Sequence, residues 1–168
     1  MLITGDSLKL IEDTKTGLQQ VFKMKDLGEL KYFLGIEFAR SSQGILMHQR
    51  KYTLELISEI GLGAAKPAIT PLDFNMNLTT KEYDEHTNKG KEVISEDEEL
   101  ADQNPYQKLI GKLLYLTMTR PDISFGVQTL SQFLQKPKKS HMEAELRIVR
   151  YLKQQPGQGT LLSSKSSN

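Results

Sequence analysis

In the stretch PYQKLIGKLLYLT, Gln107, Gly111 and Tyr115 recur every four residues, with Lys108 and Lys112 beside them. At about 100° per residue these five share one side of a helix. The opposite side is a broad apolar face of Tyr106, Leu109, Ile110, Leu113, Leu116 and Thr117, with Leu114 at its edge. A glycine inside a helix costs about 1 kcal/mol against alanine, so Gly111 calls for a reason. Two reasons stand open. Without a side chain, Gly111 lets a sugar-phosphate backbone approach, with Tyr115 against sugars, Gln107 on base edges and the lysines on phosphates. Alternatively, Gly111 packs against a neighbouring protein element.

No other constellation completes a site. His48, His86 and His141 are far apart and form no i, i+4 pair, so no metal-binding pattern emerges. The chain has no cysteine, which excludes a thiol nucleophile and a cysteine zinc site. Nucleophile-elbow, phosphate-loop and dinucleotide fingerprints are absent from the sequence. No residue is therefore singled out as catalytic or as a metal ligand.

The net charge of +1 hides an asymmetry. Residues 1–80 balance at 9 basic and 9 acidic side chains, residues 81–102 carry 3 and 9, and residues 103–168 carry 10 and 3. The last segment is the one expected to meet a polyanion, unless its lysines merely solubilise helices. No apolar run reaches the ~20 residues of a membrane span, so no membrane partner is expected. The composition suits an intracellular protein, without distinguishing cytoplasm from nucleus.

The elements that must position these residues follow from periodicity. Met1–Thr4 reads as an apolar strand and Gly5-Asp6 as a turn, an abrupt opening for a chain. Ser7 is suited to cap a helix running to about Lys23, with Leu8, Ile11, Leu18 and Phe22 on one face. Tyr32, Leu34, Ile36 and Phe38 alternate with Lys31, Phe33, Gly35 and Glu37 as a strand, and ILMHQR returns as a second, making a hairpin of residues 30–50. The cluster His48-Gln49-Arg50-Lys51 reads as solvated. A short helix with Tyr52, Leu56, Ile57 and Ile60 ends at Gly61. Apolar content collapses from Asn75 to Asn104, where EVISEDEELADQN reads as a solvated linker. Three helices follow at 105–118, 122–135 and 140–154, with Pro121 in the first turn of the second and Ser140 capping the third. TLLSS reads as one more strand.

These residues also carry a family resemblance. KMKDLGELKYFLGIEF, GILMHQRKYTLELISEIGL, KPAITPLD, YQKLIGKLLYLTMTRPDISFGVQTLSQFLQKP and HMEAELRIVRYLKQQPGQGTLL resemble the reverse transcriptase region of copia-type LTR-retrotransposon polyproteins, such as those abundant in plants. The match covers residues 1–72 and 105–163. It implies an α+β fold, a small antiparallel palm and primer-grip remnant followed by a helical thumb. The expected division is the end of the palm at 1–72, an acidic flexible linker at 73–104, a three-helix thumb at 105–154, and a lead-in to RNase H at 155–168.

The resemblance bears on function as well. In the family a stretch like MLITGDS follows Tyr-x-Asp-Asp, so the chain is expected to be a fragment without the catalytic aspartates. Alone it should polymerise nothing, and the two magnesium ions of the intact RNA-directed DNA polymerase would have no ligands in it. The hairpin takes the place of the primer grip, centred on Phe33, Leu34, Gly35, Ile36 and Glu37. QKLIGKLLY resembles the thumb helix that tracks the minor groove, which turns Gln107, Lys108, Gly111, Lys112 and Tyr115 towards nucleic acid, although copia-type sequences usually carry arginine where this chain has Gln107. The implied partners are RNA–DNA or DNA duplex, with little sequence preference, and the rest of the polyprotein. The alternatives are a non-enzymatic nucleic-acid-binding module of three helices or an inert pseudogene product.

Overall fold

The computed structural model describes residues 1–73, 75–87 and 97–164. Its helices are α1 (Leu8–Val21), α2 (Arg50–Glu59), α3 (Lys81–Thr87), α4 (Asn104–Leu116), α5 (Ser124–Ser131) and α6 (Lys139–Leu152). A four-stranded antiparallel sheet has the order β1 (Tyr32–Phe33), β2 (Ile36–Ser41), β3 (Gly44–His48) and β4 (Gly159–Ser163). The fold is α+β, as expected.

The run Tyr32–Phe38 is not one strand but two. Phe33 pairs with Ile36 across a two-residue turn in which Leu34 has φ 47° and Gly35 has φ 77°. Positive φ at both central positions is what a type I′ turn requires, and its twist matches the flanking strands. Leu34 hides this turn from a sequence reading, because glycine and asparagine are its usual occupants. Strand β4 joins the free edge of β3, Leu46 opposite Leu161, so the predicted TLLSS strand closes the sheet beside the hairpin. Met1–Thr4 forms no strand. Among the described residues no segment pairs with it, and an unpaired strand leaves its backbone groups to water. Helix α1 starts where expected, the Ser7 hydroxyl accepting the Leu10 N–H at 3.4 Å, but it buries none of its residues.

The core lies among α2, α4, α5 and α6. Tyr106, Leu109, Ile110, Leu113 and Leu116 of α4 are all buried, as their spacing predicts. They meet Val127, Leu130, Ala144, Ile148, Val149 and Leu152, together with Leu56 and Ile57 of α2. Because α2 shares this core, the expected division between a palm remnant ending at 72 and a separate thumb does not follow the packing. The solvated reading of His48–Lys51 also fails in part. Gln49 is buried, and its Oε1 accepts the Thr119 hydroxyl at 2.8 Å. Arg120, also buried, forks onto Asp122 at 2.9 and 2.7 Å and donates to the Gln155 carbonyl at 3.0 Å.

The acidic stretch needs the largest correction. The expected flexible linker spans 73–104; residues 74 and 88–96 lie outside the described residues, but its flanks pack onto the helices. Lys138, 2% exposed, spends its three ammonium donors on Thr79 Oγ1 (3.2 Å), Asp84 Oδ2 (2.7 Å) and Asp97 Oδ2 (2.8 Å). Asp97 also accepts the Ser140 N–H at 2.9 Å and its hydroxyl at 2.8 Å. Helix α6 thus starts at Lys139, one residue before the expected cap, and takes its capping carboxylate from 43 residues upstream. Leu100 N–H adds a bond to the Pro137 carbonyl at 2.8 Å.

Candidate nucleic-acid interface

Helix α4 presents the predicted stripe on its outer side, but the five side chains face different surroundings. The Gln107 amide donates to the Leu134 carbonyl at 2.9 Å, which ties it to the end of the α5 segment. Lys112 meets both carboxylate oxygens of Glu59 on α2 at 2.5 Å. Tyr115 packs edge-on against Tyr52 of α2, ring centroids 5.1 Å apart at 78°. Burial, and then Tyr115 and Glu59, push the Tyr52 hydroxyl above the usual tyrosine range. Tyr52 and Glu59 are two turns apart on α2, so one antiparallel neighbour closes this flank of the stripe. Neither was legible in the sequence as part of it.

The other flank is open. Lys108 and Gly111 are exposed, and a Cβ built on Gly111 would meet nothing within 4 Å. No protein element packs there, so among the described residues the packing explanation for this glycine has no support. Leu114 and Met118, 45% and 59% exposed, continue the open surface towards the helix end.

The structure brings the two predicted groups together at one point. The Tyr115 hydroxyl donates to the Leu34 carbonyl, so the hairpin tip rests against α4. Leu34 is 72% exposed there, with Tyr32 and Phe33 beside it at 60% and 37%. Ile36 is half-buried in β2. Glu37 is turned elsewhere: its Oε1 accepts the Lys51 N–H at 2.9 Å and so caps the start of α2. Among the described residues, no three His, Asp or Glu side chains converge to hold a metal ion. Nor, among the described residues, is any helix long and apolar enough to cross a membrane.

Relatives of the chain are found among retrotransposon polyproteins. A family model described as reverse transcriptase (RNA-dependent DNA polymerase) matches residues 1–74. The chain is 38% identical over 162 residues to the retrovirus-related Pol polyprotein from transposon RE1 of Arabidopsis thaliana, covering 96% of this chain and 10% of that one. It is 35% identical to the Pol polyprotein from transposon TNT 1-94 of Nicotiana tabacum, covering 91% and 11%. An uncharacterized mitochondrial protein of Arabidopsis thaliana, AtMg00810, is 32% identical over 91% of this chain and 58% of its own length. The chain spans about a tenth of the Pol polyproteins it matches. No solved structure matches it.

Proposed function

Because this chain belongs to the reverse transcriptase family carried by copia-type retrotransposon polyproteins, we propose that it is the part that holds template-primer duplex rather than the part that joins nucleotides. The observation that carries this reading is the open face at Gly111, where a sugar-phosphate chain can lie against helix backbone with Lys108 at one end. The hairpin tip at Leu34–Gly35 meets the same helix at Tyr115, and in this reading it bears on the primer strand. Contacts of this kind fall on sugar and phosphate and carry little sequence information, so RNA–DNA hybrid and DNA duplex are both ligands. Nucleotidyl transfer, and the metal ions it uses, is assigned to carboxylates contributed by the rest of the polyprotein.

Gln107 and Lys112 take a smaller part in this proposal than the bare stripe suggests, since the chain already occupies both. The alternative of an independent three-helix module fits less well, because α2 shares the packing of the helices. The test is fluorescence anisotropy with a labelled RNA–DNA primer-template and Gly111→Leu. Leucine is a strong helix former, and its Cβ would meet nothing within 4 Å at this position, so the helix should remain folded. Affinity should fall about tenfold, equivalent to roughly 1.4 kcal/mol. Unchanged binding by a folded Gly111→Leu chain would remove the proposed track.

A further inference from the structure

The Leu34–Gly35 turn is held in an unusual way. In a two-residue hairpin the carbonyl of the first central residue points away from the ladder and finds no partner within it. Leucine has no side-chain group to stabilise left-handed backbone, yet Leu34 sits at φ 47°. The tip is also largely exposed, so apolar burial does little to fix it. The one described side chain that reaches it from another element is Tyr115, whose hydroxyl donates to that orphan carbonyl.

The neighbouring glycine fits the same contact. A Cβ on Gly35 would stand 2.7 Å from the Tyr115 hydroxyl oxygen, so a side chain there would push the turn off the tyrosine. The ring itself is fixed from behind by Tyr52. A chain of contacts therefore runs from α2 through Tyr52 and Tyr115 of α4 to the hairpin tip.

We propose that Tyr115 is a positioning residue: its hydroxyl sets the height of the Leu34–Gly35 turn over helix α4, and it does not itself contact nucleic acid. The inference rests on the proposed duplex-binding role for its consequence, but the positioning can be measured without any ligand. The first readout is amide hydrogen exchange at Phe38, whose N–H donates to the Lys31 carbonyl at 2.9 Å within the hairpin. Tyr115→Phe, which keeps the ring on Tyr52, should leave the melting temperature unchanged and speed exchange at Phe38 about fivefold. Gly111→Leu should leave that exchange rate alone. The second readout is anisotropy with the RNA–DNA primer-template, where Tyr115→Phe should weaken binding about threefold through the displaced turn.

Unchanged Phe38 exchange in Tyr115→Phe overturns the positioning role, whatever happens to binding. Unchanged exchange with weakened binding would make Tyr115 a direct contact instead. Should the unaltered chain bind no primer-template, the duplex-binding reading fails, while accelerated exchange would still uphold Tyr115 as the residue that places the turn.

Discussion

Two basic regions of this chain, both within its positively charged last third, meet opposite fates. Around the start of α6, Lys136, Lys138 and Lys139 are each answered by the chain's own acids: Glu82 at 2.5 Å, Asp84 and Asp97 at 2.7 and 2.8 Å, and Glu98 at 2.7 Å. On the outer side of α4, Lys108 stands exposed beside a glycine with open space over it. The difference teaches that a segment's net charge does not name its partner. The excess of cations at 103–168 points to a polyanion, and for the lysines of 136–139 that polyanion is the acidic stretch upstream.

The sharpest way to break this comparison is to remove Lys138. Its burial opposes the charge, but hydrogen bonds to Asp84 and Asp97 outweigh that and raise its pKa. Asp84 is lowered chiefly by its bond to Lys138; for Asp97, burial works against the charge, and Lys138 and Ser140 still hold it low. Lys138→Met leaves both carboxylates facing an apolar group and should cost about 3 kcal/mol, read as a lower urea midpoint. The two lowered aspartates add stability that is present above their ordinary value of 3.8 and lost as pH falls through their lower folded values. Acid unfolding of Lys138→Met should consequently be shallower below pH 3.8 than that of the unaltered chain. An unchanged midpoint would mean that the acidic flanks do not close over this end.

Glu145 of α6 lies in the core that joins the two regions. It is fully buried, neither carboxylate oxygen has a hydrogen-bond partner among the described residues, and burial pushes its pKa up to about 9. The folded value is raised, so the carboxyl is tolerated below the ordinary 4.5, where both states hold the proton. Its cost grows as pH rises from there towards about 9. Glu145→Met should therefore stabilise the chain by about 2 kcal/mol at pH 8 and by much less at pH 5, measured as urea midpoints at both pH values. A gain independent of pH would show that packing, not ionisation, is responsible.

How much of this was legible beforehand depended on whether the signal was local. The apolar face of α4, the Ser7 cap and the strand at β4 follow from spacing alone, and the structure has them all. Spacing also placed Gly111 on the outer side. It could not show that Gln107 turns to Leu134, Lys112 to Glu59 and Tyr115 to Leu34, because each partner comes from elsewhere in the chain and periodicity says nothing about it. The same applies to the surroundings of His141, which its spacing from the other histidines leaves open. His141 is buried, stacked on Phe133 at 3.9 Å, and accepts the Lys138 N–H through Nδ1 at 3.0 Å. The turn at Leu34–Gly35 was missed for a different reason: alternation of apolar residues survives a two-residue hairpin, so the pattern did not register the reversal.

The smallest expected effect separates the two regions most directly. If the lysines near α6 are neutralised within the chain and Lys108 is free to meet phosphate, their removal should act differently on the salt dependence of duplex binding. Deleting one lysine that pairs with a phosphate lowers the slope of log affinity against log salt by about 1. Lys108→Ala should reduce that slope by about one unit, with at most a few tenths of a kcal/mol of stability removed, since it is exposed on a helix surface. Lys139→Ala removes a surface ion pair with Glu98, with side chains 57% and 70% exposed, and should leave the slope where it was. Anisotropy titrations of both variants across a series of potassium chloride concentrations would decide the matter. Equal slopes for the two would erase the distinction between the closed and the open region. A reduced slope for Lys139→Ala alone would move the nucleic-acid track from α4 to the start of α6.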